Sequence, residues 1–194
     1  MKKLLIVILI ASGLTYLIYT NNKQERINIL SIGDIYSNGF NNGYYPSYND
    51  YLMSDLKYDQ YDIKIFHHTS ELINELNNHD SDIKKLIKEA NVIFLNIGIE
   101  QLVNQEYINS NYISEYLDNY EIIIKEITNL NKHLYLINLP SNINIDKKYI
   151  VITNTYLKGL SEKYHLALID ISNNKIESIN QEIYQQLFTA NLTN

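Results

Sequence analysis

Cysteine and tryptophan are both missing from this chain of 194 residues. Without cysteine there is no disulfide, no thiolate nucleophile and no cysteine-ligated zinc. Compartment stays open on this point, because exported proteins without disulfides are common. Positive charge is also scarce, with no basic run longer than Lys84-Lys85 or Lys147-Lys148. A nucleic-acid partner requires a cationic face that displaces counterions, so none is expected. No internal repeat, low-complexity tract or second domain boundary interrupts the chain.

What is present describes one folded unit. The length suits a single domain with a short appendage and a sizeable core. A composition 45% hydrophobic and 20% charged argues against wholesale disorder. Net charge is −6, and about −8 for residues 21–194 once Lys2 and Lys3 are set aside.

Lys2 and Lys3 precede an uncharged apolar run over residues 4–19. As a helix this run spans roughly 24 Å, slightly less than a hydrocarbon core of about 30 Å. Snorkelling lysines and interfacial Tyr16 and Tyr19 make up the difference. No small-x-small cleavage site lies near Tyr19-Thr20. Residues 1–20 are therefore expected to form an uncleaved signal anchor, with residues 21–26 as tether and 27–194 as the domain. By the positive-inside rule the domain faces outward, in an extracytoplasmic position on the cell membrane. Secretion after signal cleavage is the alternative.

Beyond the tether, short apolar runs alternate with amphipathic stretches. Strands are expected at 27–32, 63–67, 92–97, 133–139 and 166–171, each apolar enough for burial on both faces of a parallel sheet. Helices are expected at 47–56, 70–77, 82–90, 111–130 and 147–164, with a last one from about residue 178. The pairs Ser47/Asp50 and Ser178/Gln181 have capping-box spacing. This order predicts a three-layer α/β/α domain with a doubly wound parallel sheet of about five strands. Ligands in such sheets bind beyond the carboxyl ends of the strands, which directs attention to the loops there.

The first of these loops reads Gly33-Asp34-Ile35-Tyr36-Ser37-Asn38-Gly39, and the third strand runs into Gly98-Ile99-Glu100-Gln101. A segment Gly43-Tyr44 to Tyr51-Leu52 follows the first loop. Through these short motifs, over roughly residues 27–188, the chain resembles the SGNH, or GDSL-type, hydrolases. The resemblance implies a flavodoxin-like three-layer fold and an esterase or acyl-hydrolase ancestry. It also implies which positions would carry catalysis. The serine of the family's Gly-Asp-Ser falls on Ile35, which has no nucleophilic atom. The family's oxyanion-hole asparagine falls on Glu100, whose ionised carboxylate accepts hydrogen bonds and repels developing negative charge. A glycine of the second-strand block is replaced by the loop His67-His68-Thr69. With Tyr184 laid on the family's final tyrosine, the Asp-x-x-His pair falls on Asn174 and Glu177. No histidine follows His165. Loss of nucleophile, base, orienting acid and one oxyanion donor together leaves no acyl-transfer machinery. The resemblance supports the fold and opposes the reaction.

Asp34, Tyr36, Gly98 and Glu100 remain as ligand-binding candidates on the rim. Asp34 reads either as a carboxylate holding a ligand hydroxyl or as a turn-stabilising acid. His67 and His68 read as a base or as exposed loop residues, and adjacent strand positions point to opposite faces. Ser37 is a displaced nucleophile only if catalysis tolerates a shift of two residues. Glu100 and Glu177 read as a carboxylate pair or as two solvated acids. Tyr36, Phe40, Tyr44, Tyr45 and Tyr48 crowd the first loop and suit stacking on a sugar or peptide. No cofactor or metal is expected. The expected function is binding of an envelope glycan, lipid or protein by a catalytically degenerate hydrolase-like domain. The alternatives are a divergent esterase using Ser37 with His67 or His68, and an eroded chain that only folds.

Overall fold

A computed structural model of the chain describes residues 27–33, 61–67, 72–98, 102–103, 107–131, 133–141 and 143–173. The apolar run at 4–19 and the expected helices at 47–56 and from residue 178 lie outside these residues. Among the described residues no helix is long and apolar enough to cross a membrane.

Five parallel strands form one sheet in the order β2-β1-β3-β4-β5. They are β1 (Ile27–Gly33), β2 (Tyr61–His67), β3 (Val92–Asn96), β4 (Leu134–Ile137) and β5 (Ala167–Ile169). The chain steps one way from β1 to β2 and the other way from β2 through β5, which is the doubly wound order. Every residue of β3 is buried, as a central strand covered on both faces requires. The edge strand β2 instead exposes Lys64, which forms a long ion pair of 3.8 Å with Glu89. Charge on an edge discourages pairing with another chain.

Four helices are described: α1 (Leu72–Asn77), α2 (Asp82–Glu89), α3 (Ser110–Leu130) and α4 (Lys147–Tyr164). They pack on one face of the sheet. Leu30 and Ile32 of β1, Ile93 and Leu95 of β3, and Leu134 and Leu136 of β4 form one core with Leu76, Ile87, Ile113, Ile124, Ile127 and Leu157 of the helices. The alternate strand residues point away from these helices and are buried too, among them Ile29, Ser31, Val92 and Phe94. Phe94 and Tyr135 meet on that second face as a tilted ring pair, 5.6 Å between centroids.

Helix ends are set by short polar side chains. Asn109 caps α3 by accepting a bond from the Tyr112 amide at 2.9 Å, and Asp146 caps α4 by accepting from the Lys148 amide at 3.0 Å. At the far end of α3, Asn131 donates to the Ile87 and Ala90 carbonyls, tying the helix to the end of α2. His165 closes α4 in the left-handed conformation, at φ 54°.

Strand limits shift by one or two residues at β1, β2 and β3, and depart most from the periodicity at β4 and β5. The apolar run 133–139 yields a strand of only Leu134–Ile137, and 166–171 yields only Ala167–Ile169. Side-chain hydrogen bonds from Asn138 and Asp170 take over from the ladder at both ends, so apolarity there marks burial and not strand length.

Candidate functional site

Strand order locates the crevice. The direction of winding reverses between β1 and β3, and in open α/β sheets the ligand sits outside the carboxyl ends of the strands at that reversal. The register puts Gly33, the last residue of β1, beside His67 of β2 on one side and Asn96 of β3 on the other. Backbone geometry thus brings the first, second and third motif-bearing loops out of three adjacent strand ends. Of the residues singled out in the sequence, Gly98 and the backbone of His67 are described. Asp34, Ile35, Tyr36, Ser37, His68, Glu100, Asn174 and Glu177 lie outside the described residues, as do Phe40 and the tyrosines near the first loop.

The β3 side of the crevice is built tightly. Gly98 has φ +92°, a region that side chains rarely adopt. A Cβ added there would stand 2.3 Å from the Tyr116 ring. Tyr116 in turn donates its hydroxyl to the Ile97 carbonyl at 3.1 Å, and Tyr120, one turn further along α3, reaches toward the Leu95 carbonyl at 3.5 Å. The two rings meet edge to face at 5.9 Å. Gly98 is therefore required where the chain leaves β3 over a tyrosine, and its carbonyl accepts a hydrogen bond from the Leu102 amide at 2.9 Å.

The β4 and β5 ends form a second polar frame. Asn138 donates to Asp170 at 2.7 Å and accepts from the Ile171 amide at 2.7 Å. Asp170 also accepts from the Ser172 amide at 2.9 Å. Hydrogen bonds from Ser172 first, and also from Asn138, hold the Asp170 carboxyl below its ordinary range against the opposing effect of burial. Asn154 of α4 makes two bonds of 2.8 Å with the amide and carbonyl of Leu139. Asn138, Asn154 and Asp170 orient the loops that leave β4 and β5, and their donors and acceptors are engaged in doing so. Periodicity missed them, as it missed Tyr116, because each acts across 15 to 33 residues of sequence. A polar Asn directly after an apolar strand was the one local signal of such a role.

Among the described residues no group of three or more His, Asp or Glu side chains is arranged to hold a metal ion.

No protein-family model matches the chain, and no curated protein matches it. Solved structures do. The lipase Lip_vut3 from a goat rumen metagenome is similar at 16% identity over 85% of this chain and 97% of its own, with a TM-score of 0.64. The acetyl xylan esterase AlAXEase is similar at 18% identity over 82% of this chain and 84% of its own, TM-score 0.58. The SGNH-hydrolase family esterase AlinE4 is similar at 18% identity over 75% of this chain and 76% of its own, TM-score 0.51. At these identities the likeness is one of fold. The domain has the SGNH-hydrolase type of α/β fold.

Proposed function

We propose that this chain is a catalytically degenerate domain of the SGNH-hydrolase fold, anchored outside the cell membrane, that binds an envelope ligand at the β1/β3 crevice without hydrolysing it. The observation that carries this reading is the position of Gly33. It ends β1 at the winding reversal, between His67 and Asn96, and the next two residues of the chain are Asp34 and Ile35. By the family resemblance the serine of Gly-Asp-Ser corresponds to Ile35, a side chain without a nucleophilic atom, and this supports the reading. Glu100 at the oxyanion position and Asn174 and Glu177 at the acid and base positions remove the remaining machinery in the same reading. Asp34, Tyr36, Gly98 and Glu100 are the proposed ligand-contacting positions. The ligand is a glycan, lipid or protein of the envelope, and the aromatic side chains of the first loop suit the apolar faces of sugars.

A divergent esterase is the second reading. It is favoured by the pairing of Gly33 with His67, which brings the strand end before His68 next to the strand end before Ser37. The similar structures are lipases and esterases by name, so ester substrates are the ones to try. Turnover of short-chain aryl esters by the full chain is expected to equal the uncatalysed background. Turnover above background that disappears in Ser37→Ala would overturn the binding reading and establish a relocated nucleophile.

A further inference from the structure

The end of the sheet opposite the crevice carries two histidines on neighbouring chain segments. β4 and β5 run parallel with Tyr135 beside Ala167, and two residues back along each segment stand His133 and His165. Leu134 and Leu166, which follow them, both pack on the helix-side core, so the two segments are still in step one residue before the ladder begins. Neighbouring backbones in a sheet are about 5 Å apart. Both histidines are exposed.

His165 holds its place against its own backbone preference. The Leu166 amide donates to the Ser161 carbonyl at 2.8 Å and the His165 amide to the Glu162 carbonyl at 3.4 Å. These two bonds close α4 in a turn whose left-handed position is most often glycine. His165 takes that position at φ 54°, and no other non-glycine residue among those described has a positive φ. An unfavourable backbone at a residue of useful chemistry points to a function for its side chain. His133 is held as firmly. Its amide donates to the Asn131 side-chain oxygen at 2.9 Å and its carbonyl accepts from the Ile93 amide at 2.9 Å.

We propose that His133 and His165 form a two-imidazole binding site for a divalent transition-metal ion, at the amino end of the sheet and apart from the crevice. Imidazole nitrogen suits Cu²⁺, Ni²⁺ and Zn²⁺, and takes zinc at about 2.0–2.1 Å. Two imidazoles rising from backbones about 5 Å apart reach a single ion between them. Both backbones are already fixed, so binding orders only the two side chains. Among the described residues no group of three His, Asp or Glu side chains is arranged around an ion, so water completes the shell and the ion exchanges readily. Calcium and magnesium, which take oxygen donors, do not fit such a site.

Cu²⁺, the strongest binder of its series, is the probe. At one equivalent the full chain is expected to show an electron paramagnetic resonance spectrum with nitrogen coupling from two imidazoles. The bound ion is also expected to raise the urea midpoint. His133→Gln and His165→Gly are each expected to weaken binding at least about tenfold and to remove one imidazole from the spectrum. Glycine suits the left-handed turn, so the metal-free His165→Gly chain is expected to unfold at a urea midpoint no lower than the parent's. Its loss of binding is then separate from any loss of fold. His79→Gln, exposed in the turn between α1 and α2, is the control and is expected to bind as the parent does. Cu²⁺ binding that the substitutions at 133 and 165 leave unchanged would overturn the proposal. So would a spectrum from which neither substitution removes an imidazole, which would assign the ion to His67 and His68 or to adventitious binding.

Discussion

Gly98 carries two constraints at one position, a backbone at φ +92° and a tyrosine ring where a side chain would begin. Either alone costs of order 1–3 kcal/mol when a larger residue is forced in. Gly98→Ala is expected to lose about 2–4 kcal/mol, read as a lower urea midpoint at an unchanged slope. An unchanged midpoint would mean that Tyr116 moves aside without losing its bond to Ile97. The same residue was chosen from the sequence as a ligand contact by its place in a motif. Its position in space supplies a structural reason for glycine there that the motif did not contain. Ile35 is the opposite case. Its chemistry is legible without coordinates, because no arrangement of neighbours gives a hydrocarbon side chain a nucleophilic atom.

Among the elements, α3 and α4 are clasped by Glu121. Its carboxylate accepts hydrogen bonds from Lys163, from Tyr156 at 2.8 Å and from Tyr164 at 2.9 Å. These bonds, Lys163 first, lower its pKa from 4.5 to about 2. A lowered carboxylate stabilises the fold above the unfolded value, so this contribution is whole above pH 4.5 and is lost as pH falls toward about 2. Tyr156 behaves in the reverse sense. Burial first, and then the bond to Glu121, raise it from 10.0 to about 12, so its contribution is whole below pH 10 and fades as pH rises through about 12. Glu121→Gln is expected to cost about 1 kcal/mol at neutral pH, the scale of hydrogen bonds to a partly solvated charge. It is also expected to flatten the fall in stability between pH 4.5 and about 2, measured by urea midpoints across that window. Parallel curves for parent and variant would remove Glu121 from the acid response. The helices themselves were legible from spacing: α4 spans 147–164 as its periodicity indicated, and α3 begins one residue earlier than expected, at Ser110. The clasp between them was not legible, because Glu121 and Lys163 are 42 residues apart.

At the scale of the whole molecule, the topology gives the sheet two distinct ends. The chain enters β1 from its amino end, while the crevice lies beyond Gly33 at the carboxyl end. If residues 1–20 anchor the chain, the short tether at 21–26 brings the amino ends of the strands toward the bilayer and turns the crevice outward. Fractionated cells are expected to retain the full chain in the membrane pellet after alkaline carbonate washing, and to release a chain lacking residues 1–20. Release of the full chain by carbonate would reject the anchor and favour a cleaved or peripheral form.

The sequence by itself determined the class of fold, the approximate positions of its described strands and long helices, and that the side chain at position 35 has no nucleophilic atom. Each of these is a local property, set by hydrophobic period or by the chemistry of one side chain. Only the tertiary structure decided that Gly33 ends between His67 and Asn96, that Tyr116 requires a glycine at position 98, and that Val151, Ile152 and Gly159 frame an open groove. These depend on which distant residues become neighbours when the helices settle on the sheet, and a one-dimensional pattern does not encode that distance.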